Sequence, residues 1–403
     1  MSPVAQIVRR FELHTASGDD LDAVERAVEA AVNGHPAGAV ASTTDRIERP
    51  PVVEVQLEGV ESAVLDVVAR LADLPTARLR NDVMKVRGAG RRGAIYPDPG
   101  LERRVNRRSA RPRQAPVPES GPSYKGKEVT VAIVDSGLMV DHEVFKGRLW
   151  TGPGGIHGKQ FIDDKPQHDI RDQDGHGTAL AGEVLEGAGD APVRLLTAKF
   201  FDPTHPARPD NAARALRFAV ENGAKVIVLA WDVGMGSVEL EEAFRAACAK
   251  ALVVISAGNY GSDNDWYEDQ STARVPVRYA KDYPESTLTV MATDELDTKA
   301  WFSNYGRETV DLAAPGVDIA TTRRALTDGP ARTGRKFRRQ TGTSPAAALV
   351  AGAAARLMSR YPKLEIAQVR DCLRDSVDKV PGLKCASQGR LNIDRADKKA
   401  GTL

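Results

Sequence analysis

The sequence predicts two folded parts. One is a small N-terminal α+β domain. The other, after a basic connecting segment, is a larger α/β domain with a mostly parallel sheet and helices on both faces. Three observations carry this prediction. Strand and helix patterns follow the order β-α-β-β-α-β through residues 1–88. Arg, Pro and Gly crowd residues 89–125. Across 126–398, near-continuous apolar runs alternate with helical segments, as expected of strands buried on both faces and joined by helices.

In the first part, VAQIVRRFEL reads as a strand. DDLDAVERAVEAAV places Leu21, Val24, Val28 and Val32 on one helical face, with Gly34 as the stop. GAVASTT and PVVEVQLEG read as strands around Pro50 and Pro51. ESAVLDVVARLADLP repeats the helical spacing with Val64, Val67, Val68 and Leu71, and ARLRNDVMKV closes as a strand. This order is that of a ferredoxin-like split βαβ domain. The segment that follows reads as a linker. In the larger part, EVTVAIVD, VRLLTAKF, AKVIVLAW, ALVVISAG and TLTVMATD are the strands, and NAARALRFAVENG and VELEEAFRAACAK are intervening helices.

The 403 residues are 41% hydrophobic and 28% charged, enough apolar content for a sizeable core. A formal net charge of +1 gives no global field to recruit nucleic acid or a membrane. Arg9, Arg10 and Glu12 interrupt the start MSPVAQIVRRFELH, which therefore lacks a signal-like apolar run. The longest apolar stretch, around Ala346 to Ala355, is far short of the roughly 18 residues of a membrane span. Cys248, Cys372 and Cys385 form an odd, sparse set with no nucleophilic or metal-binding neighbours. Together these features predict a cytoplasmic protein with reduced thiols.

In open α/β sheets, sites form at the carboxyl ends of the strands, and four motifs fall there. Asp135 ends the strand VAIVD, ahead of Ser136 and Gly137; alone, Asp-Ser-Gly is a common turn. His176 sits in DGHGTALAG between Gly175 and Gly177, before a helix with a small-residue face. Such a seat fixes an imidazole for general-base work, if a carboxylate orients its other nitrogen; a lone histidine at a helix start needs no such role. Asn259 follows the strand ALVVISAG, where an amide can donate to a developing oxyanion or simply make a turn. Ser344 lies in GTSPAAA, where Pro345 suits the first helical position. A serine there is either an ordinary N-cap or a nucleophile whose surrounding N–H groups favour negative charge. Each bland reading is respectable alone, but they do not account for four motifs in this order and placement.

VAIVDSG, DGHGTALAG, VVISAGN and GTSPAAA resemble the four signature blocks of the subtilases, and GRLNIDRA resembles that family's closing segment. The resemblance runs from about residue 127 to about 395. It implies a subtilisin-like fold and a serine endopeptidase acting on polypeptide substrates. Ser344 would be the nucleophile, His176 the base and then acid, Asp135 its orienter, and Asn259 the oxyanion donor. No cofactor enters that chemistry. The family commonly binds structural calcium, but no loop here has spacing that indicates a site. His168, Asp172 and Asp174 near the catalytic histidine are read as polar residues without a metal. A sedolisin-type peptidase is disfavoured, because His176 stands where a glutamate would serve as base.

The sequence also departs from the family. Ala179 replaces a second histidine, and Pro345 and Ala348 replace the usual residues around the nucleophile. Alignment with the family's substrate strand assigns Ala230, Trp231 and Asp232 to the borders of the substrate pockets, and Ser256, Ala257 and Gly258 are also assigned to substrate binding. Asp232 stands where a glycine is expected. It predicts a pocket that prefers a basic residue or is partly self-blocked, unless the carboxylate points to solvent. Arg323, Arg324, Arg332, Arg335, Lys336, Arg338 and Arg339 form a basic loop ahead of Ser344. It reads as a solvated face or as a rim for an acidic segment. Subtilase propeptides are ferredoxin-like, so residues 1–88 are expected to act as an intramolecular inhibitor or as a regulatory module sensing a protein partner. The competing classes are a binding pseudoenzyme and a serine esterase or acyltransferase.

Overall fold

The computed structural model describes residues 126–403 apart from 235, 267–273 and 323–336. It also describes the backbone of four N-terminal strands: β1 (Gln6–Thr15), β2 (Ala41–Ile47), β3 (Val52–Val60) and β4 (Ala77–Arg87). The chain divides into two compact units, Met1–Arg111 and Pro112–Leu403.

In the first unit the four strands form a sheet of order β2-β3-β1-β4, with every neighbouring pair antiparallel. β1 and β3 pair from Gln6 opposite Val60 to His14 opposite Val52. This is the strand order of a split βαβ domain. The two expected helices and the linker lie outside the described residues.

The second unit is built on a nine-stranded sheet. Its main strands are β5 (Val129–Asp135), β6 (Gly158–Gln160), β7 (Val193–Lys199), β8 (Val226–Leu229), β9 (Leu252–Ser256), β10 (Thr287–Thr293) and β11 (Leu312–Pro315). β12 (Ile319–Thr322) and β13 (Phe337–Gln340) form a separate antiparallel pair. β14 (Asp378–Lys379) and β15 (Gly389–Arg390) complete the large sheet, in the order β14-β15-β11-β10-β9-β8-β5-β7-β6. Pairing is parallel throughout except between β14 and β15. The central runs are apolar because both faces are covered, and alternation sorts their side chains. Val131 and Ile133 enter one core and Ala132 and Val134 the other.

One face is covered by α1 (His176–Ala188), α5 (Thr343–Arg360), α6 (Ile366–Asp375) and α7 (Ile393–Ala400). The other carries α2 (Pro209–Glu221), α3 (Val238–Cys248) and α4 (Val277–Ala280). α2 opens on a proline, and Ser237 caps α3 by accepting from Leu240 N at 3.2 Å. α5 begins at Thr343, so Pro345 is its third residue and not its first. Its missing N–H is still one that the first turn would leave unpaired.

α5 starts at the C-terminal edge of the sheet and runs back beneath it, so that Ser359 O accepts from Lys127 N just ahead of β5. α1 and α5 meet backbone to backbone. A Cβ on Gly187 would stand 2.2 Å from Leu349 O, and one on Gly352 2.1 Å from Val184 O. Small residues along both helices permit this approach.

Glu183 on α1 is buried and its Oε1 has no partner. Burial pushes its pKa from the ordinary 4.5 up to about 8, against a weaker opposing bond from Thr321. A raised pKa in the folded state means that Glu183 opposes folding least below about pH 4.5. Stability is then lost as pH rises through about 8. Glu183→Gln should therefore leave stability nearly unchanged at pH 4.5 and raise it by roughly 2–5 kcal/mol at pH 9. Urea unfolding at the two pH values measures this; equal gains at both would contradict it.

Candidate active site

Asp135 is the last residue of β5 and is fully buried. His176 is the first residue of α1, entered through Gly175 at φ 95°. Gly177 brings them together, since a Cβ there would stand 2.3 Å from Gly137 O in the turn after Asp135. Asp135 Oδ1 accepts from Ser136 N at 2.7 Å and lies 2.8 Å from His176 Nδ1. A carboxylate acceptor requires the proton on Nδ1, which leaves Nε2 as the basic nitrogen. Burial works against the imidazolium. The field and hydrogen bond of Asp135, with the field of Asp174, outweigh it and raise the pKa of His176 above 6.5.

A second network holds this pair. Asp172 Oδ1 accepts from Ser136 Oγ (2.9 Å), Asp174 N (3.1 Å) and Gly175 N (2.7 Å). Its Oδ2 accepts from Thr178 N (2.9 Å) and Thr178 Oγ1 (2.6 Å). Ser136 Oγ in turn accepts from Gly177 N at 3.0 Å. Lys199, the fully buried neighbour of Asp135 in β7, donates to Arg171 O at 2.7 Å and to the Gln173 side chain. The loop that leads into His176 is thus tied down from both sides. Asp172 is committed to that loop. Among the described residues no group of three or more His, Cys, Asp or Glu could hold a metal ion.

Ser344 is the second residue of α5 and is buried. Its Oγ donates to Ala230 O at 3.1 Å and makes no hydrogen bond with His176. Ala230 follows β8 directly. Asn259, three residues beyond β9, is held by Thr343. Thr343 N and Oγ1 donate to Asn259 Oδ1 at 2.8 and 2.9 Å. A backbone N–H can only donate, so the amide is oriented without ambiguity. Its NH₂ end is the one left for a ligand. Asn304, 45 residues further along, clamps this loop. Its Oδ1 accepts from Tyr260 N and Ser262 N, and its Nδ2 donates to Asn264 Oδ1.

A cavity of about 80 Å³ adjoins Asn259. Asp232, Ser256, Ala257 and Gly258 line it, with Tyr260 and Arg274. Two of the expected substrate residues do not. Ala230 contributes its carbonyl to Ser344, as above. Trp231 turns into the core, donating from Nε1 to Val134 O at 2.8 Å and packing 4.9 Å from the ring of Phe200. Asp232 does not point to solvent unpaired: Tyr260 donates to its Oδ2 at 2.7 Å and Arg274 pairs with Oδ1. A larger cavity of about 380 Å³, between β6 and α2, shares no residue with this site.

Of the basic loop, residues 323–336 lie outside the described ones. Arg338 and Arg339 stand on β13. Arg339 pairs with Asp318, while Arg338 is close enough to oppose the charge on His176.

An Asp–His pair, a serine at a helix start and an oriented amide gather at the C-terminal edge of a covered parallel sheet. Groups of these kinds are what serine hydrolysis requires. Comparison with known proteins specifies the class. A sequence profile of the subtilase family matches residues 126–396. Subtilisin DY of Bacillus licheniformis is 31% identical over 281 residues, covering 68% of this chain and 92% of its own. Subtilisin E of Bacillus subtilis (strain 168) is 30% identical over 281 residues, covering 68% of this chain and 66% of its own. The crystal structure of a lanthipeptide protease matches with a TM-score of 0.56 at 26% identity, over 67% of this chain and 87% of that one. The protease domain of PatA gives 0.53 at 26%, over 70% and 98%. The chain belongs to the subtilase family and is a serine endopeptidase with a subtilisin-like α/β fold. Among the described residues, no helix is long and apolar enough to cross a membrane.

Proposed function

We propose that Ser344, His176, Asp135 and Asn259 carry out the hydrolysis of peptide bonds through an acyl-enzyme. Ser344 Oγ leaves the Ala230 carbonyl and attacks the scissile carbonyl carbon as His176 Nε2 takes its proton. The carbonyl oxygen becomes an anion facing Asn259 Nδ2 and the N–H groups at the start of α5. As the C–N bond breaks, His176 returns the proton to the leaving amine. Water then repeats the sequence and releases the acid. Asp135 keeps the proton on Nδ1 throughout. The mechanism asks for no cofactor. One pair of contacts supports the reading: Asp135 bonds His176 at the start of α1, and Thr343, next to Ser344, anchors the amide of Asn259.

The N-terminal unit is proposed to restrain this site, as a propeptide-like inhibitor or as a module released by a protein partner. Its all-antiparallel sheet of order β2-β3-β1-β4 supports that reading. A reducing, cytoplasmic setting is proposed from Cys248, Cys372 and Cys385, which are all free and buried. Intact mass spectrometry of the wild type beside Ser344→Ala, with fluorophosphonate labelling, tests these proposals together. The wild type should label at Ser344 and shorten within residues 89–125; Ser344→Ala should do neither. A wild type that stays unlabelled even after an added protease cuts within residues 89–125 would exclude the catalytic reading. One that labels but stays full length would exclude self-processing.

A further inference from the structure

The cavity beside Asn259 is bounded by the two segments that flank Ser344. Residues 256–258 lead directly into Asn259, and Asp232 lies two residues beyond the carbonyl that receives Ser344 Oγ. On the peptidase reading, the carbonyl under attack sits between Ser344 and Asn259. The side chain of the residue that contributes it therefore has this cavity as its neighbour.

The charges lining the cavity are unequally engaged. Asp232 accepts from Tyr260 Oη and pairs with Arg274, whose guanidinium also stacks 4.2 Å from the Tyr260 ring. Asp265 is turned into the fold, accepting from Arg307 N, Glu308 N, Thr309 N and Thr309 Oγ1. Asp282 is exposed at the rim. The cations are Arg274, Arg278 and Lys281; the last two are exposed and form no ion pair among the described residues. A basic side chain entering here meets three cations and finds Asp232 already occupied. A carboxylate meets the two exposed cations of the same wall, Arg278 and Lys281.

We propose that this cavity receives an acidic side chain, glutamate above all, from the residue on the acyl side of the scissile bond. Arg274 sets that preference by closing Asp232 to basic side chains. The inference rests on the peptidase reading for the identity of the cavity. It also defines what Arg274 conceals: without the guanidinium, Asp232 and the face of Tyr260 form a receptor for a cation.

Binding reads the cavity without catalysis. Ser344→Ala, cut within residues 89–125 by an added protease so that the proposed restraint is released, is titrated calorimetrically with alanine-rich hexapeptides that differ only in Glu, Gln, Leu or Arg before the scissile position. The titration is repeated with Arg274→Ala and with Arg274→Gln added. The Glu peptide should bind about tenfold more tightly than the Arg peptide. That order should reverse with Arg274→Ala, and the advantage of Glu should vanish with Arg274→Gln. Circular dichroism of each variant checks that it is folded. Equal binding of Glu and Arg, no binding by any peptide, or an order that survives both substitutions would overturn the proposal. Cleavage of the same peptides by the wild type is the separate arm. A protein that binds in the expected order and cuts nothing would refute the hydrolytic role of Ser344 while leaving the cavity assignment supported.

Discussion

Asp135→Asn should lower kcat by about 10⁴ at neutral pH with little change in KM. The carboxylate accepts from His176 Nδ1 at 2.8 Å and from Ser136 N on the same oxygen. An amide in its place either keeps its oxygen there, bonding both donors without the negative charge, or turns its NH₂ toward both. If it donates to Nδ1, the proton moves to Nε2 and the imidazole can no longer accept from Ser344. The pH profile separates this from simple disorder. In the proposed mechanism the active form of His176 is neutral, and its pKa lies above 6.5 because Asp135 and Asp174 overcome burial. In the wild type, kcat/KM should therefore fall as pH drops through a midpoint above 6.5. With Asp135 neutralised, burial acts with less opposition and that midpoint should move down. An unchanged midpoint would mean that Asp135 does not govern the charge on His176.

Asn259→Ala should lower kcat by about 10²–10³, again with little effect on KM, because in the proposed mechanism the amide donates to charge that exists only in the transition state. Loss of the amide also removes the acceptor for Thr343 N and Oγ1 at the start of α5. The diagnostic comparison is Asn259→Asp, which keeps that acceptor and loses the donor. It should be at least as slow as the alanine variant. Recovery of activity in Asn259→Asp would assign Asn259 to holding α5 and not to the oxyanion.

The residues with local signatures were legible in the sequence. Asp135, Asn259, His176 and Ser344 each sit at a strand end or helix start, and glycine or a small-residue run marks those positions. The same locality misplaced the helix start at Pro345, because a proline is tolerated anywhere in the first turn. Partners far apart in the chain were not legible. Arg274 reaches Asp232 across 42 residues, and Asn304 reaches Tyr260 N across 44. No pattern within either segment announces the other. Trp231 was assigned to the cavity with its neighbour Asp232. Successive side chains of an extended segment point opposite ways, so the two could not share a wall, and only the packing decides that the indole goes inward. The state of Asp232 was likewise open. The sequence reads it as an acid in a pocket; the fold supplies its counter-ion.

The glycine contact between α1 and α5 works as the fulcrum of two lever arms. Gly187 lies 11 residues beyond His176, and Gly352 eight beyond Ser344. The arms are therefore roughly 16 and 12 Å long. A tilt of about 4° at the joint moves the tip of the longer arm by about 1 Å, enough to weaken catalysis on the order of 10²-fold. The positions of His176 and Ser344 thus depend in part on a bearing deep in the core.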